Sequence, residues 1–244
     1  MITQCILLFL MGVAGGLPYL MQIEQKKAGG LKLILAFSGG YLMAISLLHL
    51  LPEIYEGAGE SAGLWILAGF YVQYLLDFFS GGLEHGHVHF HKHGNRIIPW
   101  TVFLSLCLHA LFEGIPIGIP YQDEETGWSL TIGIIIHNIP ISMALTALLG
   151  QSGLQKQKLL MFLSVFSIMT PAGIMLAGSP FFQHQEMQHH TGVALAMAFV
   201  LGIFLHIATT IVFESASDHK FNLKKMVMIV SGSAAAVLIG NLLH

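Results

Sequence analysis

A histidine and a glutamate lie one helical turn apart in the middle of an apolar segment, at His109 and Glu113. Residues four apart on a helix point to the same side, so the imidazole and the carboxylate can bind one ligand together. The next apolar segment carries His137 and Asn138 near its own middle. One carboxylate and two imidazoles suit Zn²⁺ or Fe²⁺, while Asn138 and Ser105 can add an oxygen ligand or orient the others. The sequence therefore predicts a metal site where these two segments meet.

An ionisable residue at membrane depth is a candidate functional residue, but the alternative is a simple hydrogen bond between helices. Considered by itself, His206 is better explained by such a hydrogen bond. Prolines favour the metal site, or a proton pathway, for the His109 group. Pro116 cannot donate to the carbonyl of Phe112, nor Pro140 to that of Ile136, so each helix opens beside its candidate ligands. Such backbone is tolerated at membrane depth where it is buried in protein or lines a cavity.

Composition identifies the class of protein. Of 244 residues, 55% are hydrophobic and 9% charged, with a mean hydropathy of +0.72, whereas soluble domains carry about 25% charged residues. Apolar runs of about twenty residues can each cross a hydrocarbon core of roughly 30 Å, and continuous runs favour helices over a barrel. We therefore predict an all-α integral membrane protein in a lipid bilayer. A net charge of −3 predicts no nucleic-acid partner.

Features of single segments complete this assignment. Cys5 and Cys107 both lie within apolar runs, which argues against a disulfide framework. The first apolar run begins almost at Met1 with no basic region before it, so we interpret it as a retained helix.

The chain divides into eight predicted spans within one transmembrane transport domain, residues 1–244. Their approximate bounds are 2–22, 31–52, 61–80, 99–120, 127–149, 158–180, 191–213 and 223–243. All 10 Lys and Arg residues lie on alternate connections, at positions 26, 27, 32, 92, 96, 156, 158, 220, 224 and 225. By the positive-inside rule these connections are cytoplasmic, and both termini are extracytoplasmic. The predicted location is a plasma membrane or a bacterial inner membrane.

The longest connection, residues 81–98, is rich in histidine. Its alternating histidines are His85, His87, His89, His91 and His93. Imidazoles at this spacing in a flexible segment can gather around Zn²⁺, and the alternative is a polar, low-complexity loop. The loop charges predict that this segment is cytoplasmic.

Other polar residues mark the two ends of a predicted pathway. His49 and Glu53 lie one turn apart where the second span reaches its outer end, either at the outer mouth of a pathway or as solvated interface residues. Asp77, His206 and Glu214 lie toward the cytoplasmic side of the third and seventh spans. Together these three predict an exit route toward the histidine-rich loop.

Several motifs, in order and spacing, resemble one known family. They are GYLMAISLLHLLPE at 40–53, HALFEG at 109–114, HNIP at 137–140, Thr170-Pro171, and GIFLHIATTIVFES at 202–215. The sequence is similar to the ZIP (Zrt/Irt-like protein) family of divalent metal transporters. The eight spans, outside termini and histidine-rich cytoplasmic loop fit the same resemblance.

The resemblance implies import of a divalent cation into the cytoplasm by alternating access. Zn²⁺ is the expected cargo, and Fe²⁺, Mn²⁺ and Cd²⁺ are the other candidates. It places the transport site on the fourth and fifth spans and adds Met43 of the second span to the ligand candidates. A homodimer is a candidate assembly.

The resemblance also implies two adjacent metal positions, and here this chain departs from the pattern. Ala110, Ile141 and Thr170 stand where ligands are frequent in the family. We therefore predict a single-metal site. Neutral imidazoles and an ionised carboxylate are needed for binding, so acid should compete with the metal.

Two other functions remain open from the sequence. An intramembrane metalloenzyme would use the same ligands with a bound water as nucleophile or oxidant site. However, the sequence has no HExxH motif and no repeated histidine boxes. A metal-sensing membrane protein would bind the ion at the reduced site without transporting it.

Overall fold

The computed structural model describes residues 1–21, 28–83, 99–119, 124–179, 189–214 and 222–243. All regular elements within these ranges are helical, which confirms the predicted all-α class. The α-helices are α1 (Ile2–Leu20), α2 (Ala28–Ile45), α3 (Leu51–Ala58), α4 (Ala62–Ser80), α5 (Trp100–Gly118), α6 (Glu124–Gln151), α7 (Lys156–Ala177), α8 (His189–Glu214) and α9 (Leu223–Leu243).

The second and third predicted spans form one nearly continuous helical stretch. A π-helical turn, Ser46–Leu50, joins α2 to α3, and a 3₁₀ turn, Gly59–Ser61, joins α3 to α4. Gly59 has a φ of +55°, which interrupts the helical path there because this backbone conformation favours glycine.

Among the described residues, 7 helical segments are long and apolar enough to cross a membrane. One of them is the 51-residue stretch Gly30–Ser80, which would be about 76 Å long as a straight helix. That is more than twice the roughly 30 Å hydrocarbon core. Eight crossings, the outside termini and the single transport domain stay predictions.

Glycines bring particular helix pairs into backbone contact. On α5, a Cβ at Gly114 would overlap the carbonyl of Thr170 on α7, and a Cβ at Gly173 would overlap the carbonyl of Leu111. Such small residues let membrane helices approach closely. The same reciprocal arrangement joins α4 to α8 through Gly69 and Gly202, and α2 to α9 through Gly40 and Gly232.

A polar layer separates two buried apolar clusters. Ile117 of α5, Ile134 of α6 and Ile174 of α7 belong to the first cluster. Residues on the other side of the layer along the same three helices, among them Ala110, Ile141 and Phe166, belong to the second. The layer between them consists of His109, Glu113, His137, Asn138, Ser167 and Thr170, all buried.

The outer surface carries large apolar side chains. Ile2, Leu64, Phe78 and Phe213 are each more than 70% exposed, at 79%, 71%, 74% and 74%. Exposed apolar side chains of this size are typical of a surface that faces lipid. This agrees with a membrane location.

Candidate metal centre

Three side chains of the polar layer converge from two helices. His109 and Glu113 come from α5 and His137 from α6, and all three are 0% exposed. The Nε2 atom of His109 lies 3.3 Å from Oε1 of Glu113, and Nε2 of His137 lies 3.6 Å from the same oxygen. The two imidazole rings are 5.9 Å apart, centroid to centroid. The structure thus brings together the three residues that the sequence singled out.

The spacing of these atoms suits a small cation. One nitrogen or oxygen from each residue lies within 4.8 Å of the others. Ligand atoms around a tetrahedral zinc lie roughly 3.3 Å apart, given metal–ligand distances of about 2.0–2.1 Å. The two nitrogen–oxygen separations, 3.3 Å and 3.6 Å, are already close to this value. The two imidazole nitrogens would need to approach by at most about 1.5 Å to close the group around one ion. Burying a carboxylate also costs roughly several kcal/mol because the group loses its hydration, and a cation in this position would offset that cost.

Two further helices supply residues that the sequence did not single out. The amide oxygen of Gln73 on α4 lies 3.1 Å from Nδ1 of His109. The hydroxyl of Ser38 on α2 lies 3.4 Å from Nδ1 of His137 and donates to the carbonyl of Leu35 at 2.9 Å. Both side chains are fully buried. In the sequence, the one sign of such a role is that each is an uncharged polar residue in an otherwise apolar run.

Asn138 is held from a third direction. Its Nδ2 donates to Oγ1 of Thr170 on α7 at 3.3 Å, and its Oδ1 has no hydrogen-bond partner among the described residues. Ser105 is buried one turn before His109 on α5. Met43 is half-buried on α2, and Ser38 of the same helix contacts His137. The roles of Asn138 and Met43 as ligands stay predictions.

A protein-family model described as "ZIP Zinc transporter" matches residues 1–95 and 80–240, which is nearly the whole chain. The chain belongs to the ZIP zinc transporter family. The resemblance found in the sequence motifs is confirmed, and the family is one of transporters rather than of enzymes.

Named relatives have the same description. Zinc transporter ZIP1 of Danio rerio is 35% identical over 95 residues, 39% of this chain and 31% of the relative. Zinc transporter ZIP1 of Takifugu rubripes is 30% identical over 160 residues, 64% of this chain and 51% of the relative. Zinc transporter ZIP9 of Micropogonias undulatus is 24% identical over 247 residues, 81% of this chain and 78% of the relative. The chain thus spans 31% and 51% of the lengths of the two ZIP1 relatives.

In this ZIP-family chain, apolar side chains occupy two positions that the resemblance assigns to a second metal. Ala110 and Ile141 are 0% and 1% exposed and pack in the second apolar cluster with Leu145 and Phe166. Thr170, the third such position, differs because it belongs to the polar layer and accepts a hydrogen bond from Asn138.

The predicted outer-mouth residues lie beyond the α2 part of the site. His49 is in the π-helical turn, and a Cβ at Gly240 of α9 would lie 3.3 Å from its imidazole ring. Glu53 is in the first turn of α3 and is half-buried. Neither residue is a member of the buried group of His109, Glu113 and His137.

The predicted exit residues are placed unequally. His206 on α8 is buried, with its ring 4.9 Å from that of Phe70 and 5.9 Å from that of Tyr74, both on α4. Asp77 is half-buried on α4, one turn after Gln73. Glu214 is the last residue of α8, and its side chain lies outside the described residues.

Most of the predicted histidine-rich connection also lies outside the described residues, which resume at residue 99. This range includes His85, His87, His89, His91 and His93. Their metal-binding role and their side of the membrane therefore stay predictions.

Proposed function

We propose that this chain moves a divalent metal ion, chiefly Zn²⁺, across a membrane into the cytoplasm. The observation that carries this is the fully buried group of His109, Glu113 and His137 in a chain of a zinc transporter family. Nitrogen and carboxylate ligands are those that zinc prefers, and Fe²⁺, Mn²⁺ and Cd²⁺ are the competing cargoes. The direction rests on the loop charges, which favour a cytoplasmic histidine-rich loop.

The mechanism we infer is alternating access around this site. The ion sheds water near His49 and Glu53, binds the buried group, and leaves past Asp77, His206 and Glu214. Two apolar clusters flank the polar layer, so the ion can leave to either side only when helices move. Close backbone contacts between α5 and α7, and between α4 and α8, make rigid helix pairs that could move as units.

The burial of the site favours transport over an intramembrane metalloenzyme. A catalytic zinc keeps one coordination position open for water or substrate. Here all three candidate ligands are 0% exposed, and apolar side chains pack on both sides of the layer. An enclosed ion-sized site of this kind fits an ion in transit better than a substrate pocket.

The test is transport by the purified protein in liposomes that contain a zinc-sensitive dye. We expect a time-dependent signal after external Zn²⁺ is added, and loss of that signal in His137→Ala. Zinc binding without flux would instead indicate a metal sensor or a metalloenzyme, and the absence of both binding and flux would contradict the proposed site. Repeating the assay with Fe²⁺, Mn²⁺ and Cd²⁺, using suitable dyes, ranks the cargoes.

We further propose that the membrane site holds one ion, because Ala110 and Ile141 are packed in an apolar cluster. Zinc bound by the histidine-rich loop must be removed from the count. In a variant with the five loop histidines replaced by serine, equilibrium dialysis with elemental analysis should find one tightly bound zinc per chain. Adding Glu113→Gln to that variant should remove it. Two zinc ions per chain in the loop variant would contradict the single-metal site.

A further inference from the structure

His109 faces an acceptor at each of its two ring nitrogens. On one side, Nδ1 lies 3.1 Å from the amide oxygen of Gln73. On the other, Nε2 lies 3.3 Å from a carboxylate oxygen of Glu113. A neutral imidazole has only one N–H, so it can donate to one of these oxygens and not to both.

The buried amide favours a proton on Nδ1. Its carbonyl oxygen can only accept, and a deprotonated Nδ1 would place two lone pairs 3.1 Å apart in a fully buried position. A deprotonated Nε2 would likewise face the carboxylate of Glu113 at 3.3 Å, so Nε2 needs a cation, which is either the metal ion or a second proton. With that cation in place, both oxygens are satisfied and Nδ1 carries its proton.

His137 has a different neighbour. The hydroxyl of Ser38, which lies 3.4 Å from its Nδ1, can either accept or donate because its hydrogen rotates. In the structure this hydroxyl donates to the carbonyl of Leu35, which leaves its oxygen to accept from Nδ1–H of His137. If the hydrogen rotates toward Nδ1 instead, the other tautomer is accommodated, so Ser38 constrains His137 less than Gln73 constrains His109.

We propose that Gln73 is the positioning residue of the metal centre, keeping the proton of His109 on Nδ1 so that its Nε2 lone pair is available to the cation. This inference rests on the proposed metal site but concerns how tightly the ion is held, whatever the direction of transport. Acceptors behind metal-binding histidines typically change metal affinity by about 10–100-fold. We expect a change of that size here.

The experiment compares zinc affinity among three variants of the full chain in detergent, by competition with a fluorescent chelator. Gln73→Met keeps the length of the side chain and removes the acceptor, and it should weaken zinc binding about 10–100-fold. Gln73→Glu keeps an acceptor oxygen, so its zinc affinity should be no more than about threefold weaker than that of the parent. Equal losses in both variants would show that only the shape of the amide matters and would overturn the proposal.

Gln4→Met is the matched control. Gln4 is also a buried glutamine that bonds a neighbouring helix, donating to Oγ1 of Thr131 at 3.2 Å, but it is on α1. This variant should bind zinc as the parent does. If Gln73→Met matched Gln4→Met while Glu113→Gln lost zinc, the site would stand and the role of Gln73 would be wrong. If Glu113→Gln also kept its zinc, the metal centre itself would be wrong.

A spectroscopic measurement on the parent protein is independent of how the variants fold. With ¹⁵N-labelled histidine, the signals of His109 are identified by their loss in His109→Asn. With zinc bound, we expect a protonated Nδ1 and an unprotonated Nε2. In the zinc-free protein, we expect Nδ1 to stay protonated whether or not Nε2 also carries a proton toward Glu113. A bare Nδ1 in the zinc-free protein would overturn the proposal.

Discussion

Glu113→Gln should abolish zinc uptake and yet leave the zinc-free protein at least as stable as the parent. Glu113 is the one anionic group among the three converging side chains, so the substitution removes the strongest attraction for a cation. Structural zinc sites with four ligands are worth about 10–16 kcal/mol, which is roughly 2.5–4 kcal/mol for each ligand. Losing one ligand should therefore weaken binding by about 70- to 900-fold.

Glu113→Gln should not destabilise the zinc-free protein, although it weakens zinc binding. Glu113 is 0% exposed, and with neutral imidazoles its carboxylate is a buried charge that has lost its hydration. Glutamine has nearly the same shape and carries no charge, so burying it avoids the loss of hydration that a carboxylate suffers. We expect the thermal unfolding midpoint, measured with a chelator present, to be unchanged or higher.

Glu60→Gln is the control, because Glu60 is exposed in the 3₁₀ turn before α4. It should leave both uptake and unfolding unchanged. Normal zinc uptake by Glu113→Gln would rule out the proposed site. A clear fall in its zinc-free unfolding midpoint would show that the carboxylate holds the fold together and is not kept for cation binding.

Gly114→Ala should destabilise the protein and weaken zinc binding together. The added Cβ would overlap the backbone carbonyl of Thr170 on α7, which cannot move aside as a flexible side chain could. Overpacking typically costs about 1–3 kcal/mol, and a backbone obstacle places this case toward the upper end. Because Gly114 follows Glu113 and Thr170 accepts from Asn138, separating α5 from α7 would also displace ligands.

The result is informative because helix propensity predicts the reverse. Alanine favours a helix over glycine by about 1 kcal/mol. Gly192→Ala on α8 is the matched control, since a Cβ there meets nothing within 4 Å. We expect it to be neutral or slightly stabilising in thermal unfolding, with unchanged zinc affinity. Equal effects of the two substitutions would contradict the close contact between α5 and α7.

The part of the site predicted from sequence is the part with local regularity. The four-residue spacing of His109 and Glu113 places them on one helix face, and short connections make neighbouring segments into neighbouring helices. Apolar length and composition were enough for the helical class. These features depend on residues close in sequence, so no knowledge of the tertiary packing was needed.

Gln73 and Ser38 could not be predicted in the same way. Each is a single polar residue in an apolar run, with no spacing that links it to a partner. Their contacts to His109 and His137 depend on how α4 packs on α5 and α2 on α6, which are contacts between residues far apart in the chain. The sequence also did not predict the short elements between the second and third spans, which are the π-helical turn Ser46–Leu50, α3 and the 3₁₀ turn Gly59–Ser61.

The polar layer between two apolar clusters has a consequence for the electrical properties of the membrane. An ion on either side of the layer meets a low-dielectric barrier of packed isoleucine, leucine and phenylalanine side chains, where an unpaired charge is strongly disfavoured. Apolar packing of this kind also offers no hydrogen-bond partners to a chain of water molecules along which protons could hop. We therefore expect this conformation to hold one cation inside the bilayer without letting ions or protons leak across it, so that the membrane potential is maintained.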